Sequence, residues 1–303
     1  MNKIFNKRDL FVLIVEVATI IFGFFYIQFG AGGDKDNVAP TQQPIIFVSD
    51  QNRASAAAKH LVTTTSRSGG DVAMHIDVYG NGKIKYHANK NVRSKQPIIE
   101  VNFGDRAKTT KAQSEKLNEI FKYLNQKYNY KQYDAIGYGA GCLAVYDNAV
   151  TYGTKQNKMG LSHFISIAGP YQGVMPIRVP ADNQRNIPRS GPHHNLAHHQ
   201  DIIRQQSIAQ QQNINQRFPS YKELKAKSKN LDSNTRVLNI YGVLGEHDLS
   251  DGRVSEASAS SLKGLVKSDN YQALRLTGPD AEHARILDNQ IAERLVNRFL
   301  FSE

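Results

Sequence analysis

The amino-acid sequence predicts an α/β fold, built on a mostly parallel β-sheet with helices on both faces. Short apolar runs of strand type alternate with segments of helical periodicity over most of the 303-residue chain. This alternation is typical of parallel sheets that are buried on both sides. A composition of 40% hydrophobic and 21% charged residues is that of a globular protein.

The predicted elements follow one another in a regular order. PIIFVSD opens the sheet, and the Ala-rich RASAAAKHLV after it predicts a helix. Two alternating runs joined by Gly80-Asn81-Gly82 predict a hairpin, because Gly and Asn adopt positive φ. TTKAQSEKLNEIFKYLNQKYN has the apolar spacing of a helix with one buried face. The other predicted strands are QPIIEVNFGD, YDAIGYG, LSHFISIAGPYQG, TRVLNIYGVLG and YQALRLTG, and the closing helix is NQIAERLVNRFLF.

The N-terminal segment predicts a membrane attachment. Leu10 to Phe29 is nearly unbroken apolar sequence, and about 20 apolar residues span a bilayer. A signal peptide has a shorter apolar region, so an uncleaved anchor is favoured, while Ala31-Gly32-Gly33 keeps cleavage as the alternative. Lys3, Lys7 and Arg8 precede the span, which predicts a cytoplasmic N-terminus and an extracellular main domain. Cleavage would make the protein secreted.

The chain therefore divides into an anchor or signal peptide at 1–33, a linker at 34–43 and one domain at 44–303. Residues 178–234 interrupt the alternation, since they are rich in Gln, Asn, His and Lys. We interpret them as a lid-like insertion, with a helical portion from about Asp201 to Arg217.

The charge and the single cysteine restrict the partners and the source of stability. The net charge is +11, and all but about one unit of it lies beyond the anchor, which favours anionic wall polymers or lipid headgroups. The alternative is that the positive charge only keeps the surface solvated.

The chain has no phosphate-binding glycine loop, zinc-finger spacing or aromatic platform, so no cofactor and no specific nucleic acid are expected. Cys142 is the only cysteine, which excludes an internal disulfide.

A histidine cluster lies in the predicted insertion. His193, His194, His198 and His199 are close in sequence, and His194 and His198 would share one face of a helix. No third ligand is apparent, so we expect a polar loop and assign no metal site.

A strand-to-helix turn carries the most informative motif. Gly137-Tyr138-Gly139-Ala140-Gly141 has the spacing of a Gly-x-Ser-x-Gly nucleophile turn, with glycine at its centre. Acyl-transfer hydrolases with this turn place an acid and then a histidine after later strands. Here the later loops offer Asp248 or Asp251, and then His283.

These motifs together resemble the cell-surface α/β-hydrolase family of unknown function from Gram-positive bacteria. The resemblance covers about residues 44–301 and implies an α/β-hydrolase fold. It also implies that Asp251 and His283 occupy the acid and base positions of a triad. The serine position is taken by Gly139, and the Ala140 N–H is the candidate oxyanion donor.

A second difference from the family concerns the loop after the first strand. The family has a His-Gly loop there that helps to form the oxyanion hole, whereas this chain has Ser49-Asp50. Loss of one such donor costs about 10²- to 10³-fold in rate. A carboxylate at Asp50 would oppose developing negative charge if it faced the site.

Three functions are compatible with these residues. The first is a membrane-anchored pseudohydrolase that keeps a cleft for a lipid, a peptide or an anionic wall component. The second is an active hydrolase in which Cys142 or a water activated by His283 attacks, although Cys142 lies one helical turn beyond the elbow and is expected to pack against the sheet. The third is a basic wall-binding or adhesion protein, in which Asp251 and His283 only tie two loops together.

Overall fold

The computed structural model describes residues 42–49, 56–104, 109–175 and 216–301. The predicted anchor, nearly all of the linker, Asp50, the histidine cluster and residues 201–215 of the predicted lid helix lie outside these ranges. Among the helices in the described ranges, none is long and apolar enough to cross a membrane.

A single eight-stranded sheet forms the centre of the described structure, with strand order β3-β2-β4-β1-β5-β6-β7-β8. All neighbouring strands are parallel except β2 and β3, which form the predicted antiparallel hairpin. The mostly parallel sheet is confirmed. The strands are β1 Ile45–Val48, β2 Asp71–Val78, β3 Ile84–Ala88, β4 Pro97–Phe103, β5 Gln132–Tyr138, β6 Gly160–Ile167, β7 Arg236–Val243 and β8 Tyr271–Thr277.

The helices agree with the predicted order of elements. The longest described helix, α2, begins after Thr109, whose side chain accepts from the Ala112 N–H, and ends at Asn129 in the left-handed conformation. The helices are α1 Ala56–Ser68, α2 Thr110–Tyr128, α3 Ala140–Thr151, α4 Gly153–Asn157, α5 Tyr221–Lys227, α6 Glu256–Ser260 and α7 Gln290–Phe301.

The two faces of the sheet are both buried, and β1 shows how the chain achieves this. Ile46 and Val48 belong to the core under α2 and α3, while Ile45 and Phe47 belong to the core under α1 and α7. Successive side chains of a strand point to opposite faces, so an unbroken apolar run fills two cores. Helices on both faces are therefore confirmed.

The C-terminal part of the predicted insertion contacts the main core. Residues 216–234 include α5, where Leu224 is fully buried in the core formed by α2 and α3. Ser220 caps this helix, because its side chain and that of Glu223 each pair with the other residue's backbone N–H. Leu224 and the partly buried apolar residues around it thus attach a segment that is otherwise polar in sequence.

Candidate functional site

Gly139 lies at the turn between β5 and α3, with φ 55° and ψ −127°. L-amino acids rarely adopt this conformation, and glycine adopts it at little cost. The Gly139 N–H donates to the carbonyl of Ile167 over 3.0 Å, which holds the turn against the end of β6. This sharp strand-to-helix turn is the backbone geometry of a nucleophile elbow.

The two outer glycines of the motif are required by packing. A Cβ atom at residue 141 would lie 2.2 Å from the Val48 carbonyl oxygen, and one at residue 137 would lie 2.7 Å from the Cys142 Cα. Both distances are far below a normal contact. The motif therefore brings α3 against β1 and β5 more closely than any residue with a side chain allows.

The structure brings Asp251 and His283 together. Asp251 lies in the loop after β7 and His283 in the loop after β8, and the Asp251 Oδ2 to His283 Nδ1 distance is 2.7 Å. The two side chains are only 2% and 4% exposed. A carboxylate accepts hydrogen bonds, so His283 Nδ1 is the donor to Asp251, and the second ring nitrogen, Nε2, takes no part in this pair.

Backbone groups fix the Asp251 carboxylate independently of the histidine. Its Oδ1 accepts from the N–H groups of Arg253 at 2.9 Å and Val254 at 2.7 Å. The two loops are also joined directly, since the His283 N–H donates to the Asp251 carbonyl over 2.9 Å. The neighbouring Asp248 instead accepts from the Ser250 hydroxyl at 2.6 Å. Of the two acids offered by the sequence, Asp251 is the one that pairs with His283.

Tyr138 was not singled out from the sequence, yet it contacts the histidine. Its hydroxyl donates to the His283 carbonyl over 2.8 Å, and the two ring centroids are 5.2 Å apart. Tyr138 is the last residue of β5 and immediately precedes Gly139. A polar aromatic residue just before the elbow was the available signal. Through this contact, the elbow strand and the histidine loop support each other.

The remaining predicted oxyanion residues lie around the first turn of α3. Ala140 is the first residue of that helix, and the first N–H groups of a helix have no partner within it. Ser49 directly follows β1 and is buried, and its carbonyl carbon would be 3.3 Å from a Cβ at residue 141. The β1 loop thus borders the elbow, while Asp50 lies outside the described residues.

This part of the sheet is where its strand order reverses. β1 lies between β4 and β5, so β2 to β4 lie on one side of β1 and β5 to β8 lie on the other. Parallel α/β sheets bind ligands at the carboxyl ends of their strands near such a point. Gly139, Ser49, Asp251 and His283 all follow the carboxyl ends of strands.

Cys142 is enclosed in the core beneath the elbow. It is fully buried, and its Sγ atom is 3.3 Å from the carbonyl oxygen of Ile167, as a hydrogen-bond donor. Tyr171 packs nearby, and burial raises the pKa of its phenol well above the ordinary value. The predicted packing of the thiol against the sheet agrees with this geometry.

Within the described ranges, no group of three or more His, Cys, Asp or Glu side chains could hold a metal ion. The four clustered histidines at 193–199 are outside those ranges. The Asp251 and His283 pair alone supplies too few ligands for a metal centre.

Taken together, the sheet, the elbow and the Asp251–His283 pair define a protein of the α/β-hydrolase fold. The chain belongs to the family described as alpha/beta hydrolase of unknown function (DUF915), which matches residues 34–218 and 204–303.

Two solved structures are similar over most of the chain. The lin2722 gene product of Listeria innocua has a TM-score of 0.66 and 21% identity, covering 86% of this chain and 95% of its own. A proposed cell surface hydrolase from Lactobacillus plantarum WCFS1 has a TM-score of 0.61 and 20% identity, covering 88% of this chain and 94% of its own. At these identities the likeness establishes the fold. The comparison with curated protein sequences gives no match.

Proposed function

We propose that this protein is a surface-attached pseudohydrolase, which binds a ligand at its elbow without cleaving it. The observation that carries the proposal is Gly139, which holds the elbow geometry but has no side chain. A serine nucleophile is the group that a triad exists to activate. Without it, Asp251 and His283 have no hydroxyl to deprotonate at this position.

The retained groups can still recognise a ligand. In the neutral ring, His283 Nε2 is an acceptor, and the N–H groups at the start of α3 are donors suited to an oxygen with partial negative charge. Such a pair suits a ligand that both accepts and donates, such as an amide, or an ester or carboxylate with a hydroxyl group nearby, from a lipid, a peptide or an anionic wall component. Hydrogen bonds would hold the ligand at this edge, and no covalent intermediate would form.

The attachment to the cell surface is part of the same proposal. Leu10 to Phe29 would form a single transmembrane helix, with residues after the span outside the cell. The Lactobacillus plantarum relative is itself described as a cell surface protein, which supports this placement. Cleavage after the apolar segment would release the same domain as a secreted protein.

Hydrolysis by another nucleophile is the second candidate, and the buried Asp251–His283 pair is the observation that favours it. The pair retains the hydrogen bond with which a triad orients its base, so His283 could activate a water molecule. A Cys142 nucleophile has less support, because its Sγ atom donates to the Ile167 carbonyl within the core.

Ester hydrolysis by matched elbow variants separates these candidates. We expect the wild-type full chain in detergent to hydrolyse short p-nitrophenyl esters no faster than buffer. Gly139→Ser should create activity that also requires His283, while Gly139→Ala adds the same Cβ atom without a hydroxyl and should remain inactive. Wild-type hydrolysis that disappears in His283→Ala would contradict the proposal. If Cys142→Ala also abolished that hydrolysis, the thiol would be identified as the nucleophile.

A further inference from the structure

The edge of the sheet opposite the elbow carries a concentration of exposed positive charge. Parallel strands begin at this edge, and the segments that lead into β2, β4, β5 and β6 all lie along it. Those segments carry seven exposed cations. Lys155 lies on α4, and the other six define what we call the basic edge: Arg67, Lys90, Arg93, Lys95, Lys131 and Lys158.

Little acidic charge offsets these cations. In the described segments 66–71, 89–96, 129–132 and 152–160, the exposed acidic side chain is Asp71. Among the ion pairs found in the described ranges, none includes Lys90, Lys95, Lys131 or Lys158. Cations clustered on one edge with few acidic neighbours produce a field that a solvated mixture of both signs does not.

The loops around the candidate site have the opposite character. Glu246, Asp248, Asp280, Glu282 and Asp288 lie in the loops that carry Asp251 and His283, against Arg253 and Arg285. The two loops that carry the site thus have an excess of acidic residues, in contrast to the basic edge. An anionic surface would attract the basic edge and repel these two loops.

The N-terminal segment joins the domain at the basic edge. The side chain of Gln42 donates to the carbonyl of Arg93, and the Gln43 N–H donates to the carbonyl of Lys95 over 3.2 Å. The Gln43 side chain also donates to the buried Asp134 carboxylate over 2.6 Å. These bonds fix the point of entry beside two of the six cations.

The predicted membrane span is close to that point along the chain. The residues between Phe29 and Gln42 extend over at most about 40 Å. A linker of this length keeps the basic edge near the bilayer without fixing the orientation of the domain. The orientation then depends on which end the membrane surface attracts.

We propose that the basic edge docks on an anionic lipid bilayer and turns the Asp251–His283 edge away from the membrane. This inference rests on the membrane attachment proposed above and adds an orientation to it. The candidate site would then be presented to ligands in the surrounding envelope, about 25 Å farther from the lipid than the basic edge, given strands of seven or eight residues.

Energy transfer from two labelled positions tests this orientation in the full chain. Gln156→Cys places a dye on an exposed residue of α4, next to the basic edge. Leu249→Cys places a dye in the loop that carries Asp251, at a residue that is 54% exposed. The native Cys142 is buried and should react slowly with a maleimide dye. Acceptors are carried on lipid headgroups of reconstituted vesicles.

We expect strong transfer from position 156 and weak transfer from position 249 in vesicles that contain phosphatidylglycerol. The difference should shrink in pure phosphatidylcholine and at raised salt. Changing Lys90, Lys95, Lys131 and Lys158 to Gln should abolish it. Each lost cation should weaken the oriented state about fivefold, the equivalent of about 1 kcal/mol.

A matched control removes the same charge elsewhere. Lys83, Lys111, Lys122 and Lys222 are exposed lysines away from the basic edge, and changing all four to Gln should leave the orientation intact. Equal loss of orientation in both sets would overturn the proposal, because net charge alone would then explain it.

The remaining outcomes separate orientation from attachment. Equal transfer from both dyes, in protein that sediments with the vesicles, would overturn the orientation and leave the attachment standing. Protein that stays in the supernatant would overturn the attachment and the orientation with it. If the four basic-edge substitutions weaken binding to soluble polyphosphate but leave the vesicle orientation unchanged, the partner is an anionic polymer and the proposal is wrong.

Discussion

Gly139 and Gly141 of the elbow should respond very differently to alanine, since backbone conformation constrains the first and packing constrains the second. At residue 139 the constraint is the backbone conformation of φ 55° and ψ −127°. A non-glycine residue held in a disfavoured region costs about 1 to 3 kcal/mol. A cost of this size is smaller than the stability of most domains, so Gly139→Ala should remain folded.

At residue 141 the constraint is the backbone of β1. A new Cβ would lie 2.2 Å from the Val48 carbonyl oxygen and 2.8 Å from its carbonyl carbon. Neither atom can be moved by a rotamer change, so α3 or β1 must shift. We expect Gly141→Ala to cost more than about 4 kcal/mol, at the far end of what single substitutions do.

Urea unfolding of the full chain in detergent measures both costs. The chain contains no tryptophan, so far-UV circular dichroism is the suitable signal. With a slope of about 3 kcal/mol per molar urea, Gly139→Ala should lower the midpoint by about 0.3 to 1 M. Gly141→Ala should lower it by more than about 1.3 M or prevent folding. Equal losses in the two variants, or no loss in Gly139→Ala, would refute this account of the elbow.

Three further predictions concern groups that the structure places in defined environments. His283→Ala leaves the Asp251 carboxylate buried without its partner and should cost about 3 kcal/mol by urea unfolding at neutral pH; a loss below about 1 kcal/mol would contradict a tight buried pair. Burial raises the pKa of Glu100, so the folded state binds its proton more tightly and this group favours folding more as the pH falls. Glu100→Gln should therefore stabilise the protein at pH 7 and lose that advantage toward pH 4.5, and a variant less stable at pH 7 would show the sign to be wrong. The Ser220 backbone N–H lowers the pKa of Glu223, so the hydrogen bonds to the Glu223 carboxylate stabilise the fold at neutral pH and are lost as the pH falls through that lowered pKa. Ser220→Ala should lower the free energy of unfolding by about 1 kcal/mol at pH 7. The difference in unfolding free energy between this variant and wild type should become smaller in acid, and a difference that stays constant with pH would contradict a contribution from the ionised Glu223.

The sheet was predictable because its strands are buried on both faces. Unbroken apolar runs such as Ile45–Val48 have no polar alternation and no helical period, so they indicate strands of a parallel sheet. The hairpin was predictable from its turn residues. The packing of α5 was not, because Leu224 and a few partly buried neighbours such as Phe218 and Tyr221 attach it, and these are too few and too close together to give a helical period.

The chain order of the candidate site residues was predictable from the sequence, but the supporting contact of Tyr138 was not. The elbow spacing and the positions of Asp251 and His283 after successive strands indicated that these residues belong to one site. The contact of Tyr138 with the His283 carbonyl depends on how β5 and a loop 145 residues later pack together, which local sequence does not encode. The basic edge was likewise invisible, because its cations come from segments far apart in the chain.

Covalent labelling by a fluorophosphonate tests the central claim most directly, since this reagent traps an activated nucleophile. Intact-mass spectrometry of the wild-type chain should show no adduct, while Gly139→Ser should gain one adduct at residue 139 that requires His283. An adduct on the wild-type chain, at Cys142 or at any other residue, that disappears in His283→Ala would show that a nucleophile survives and would contradict the account.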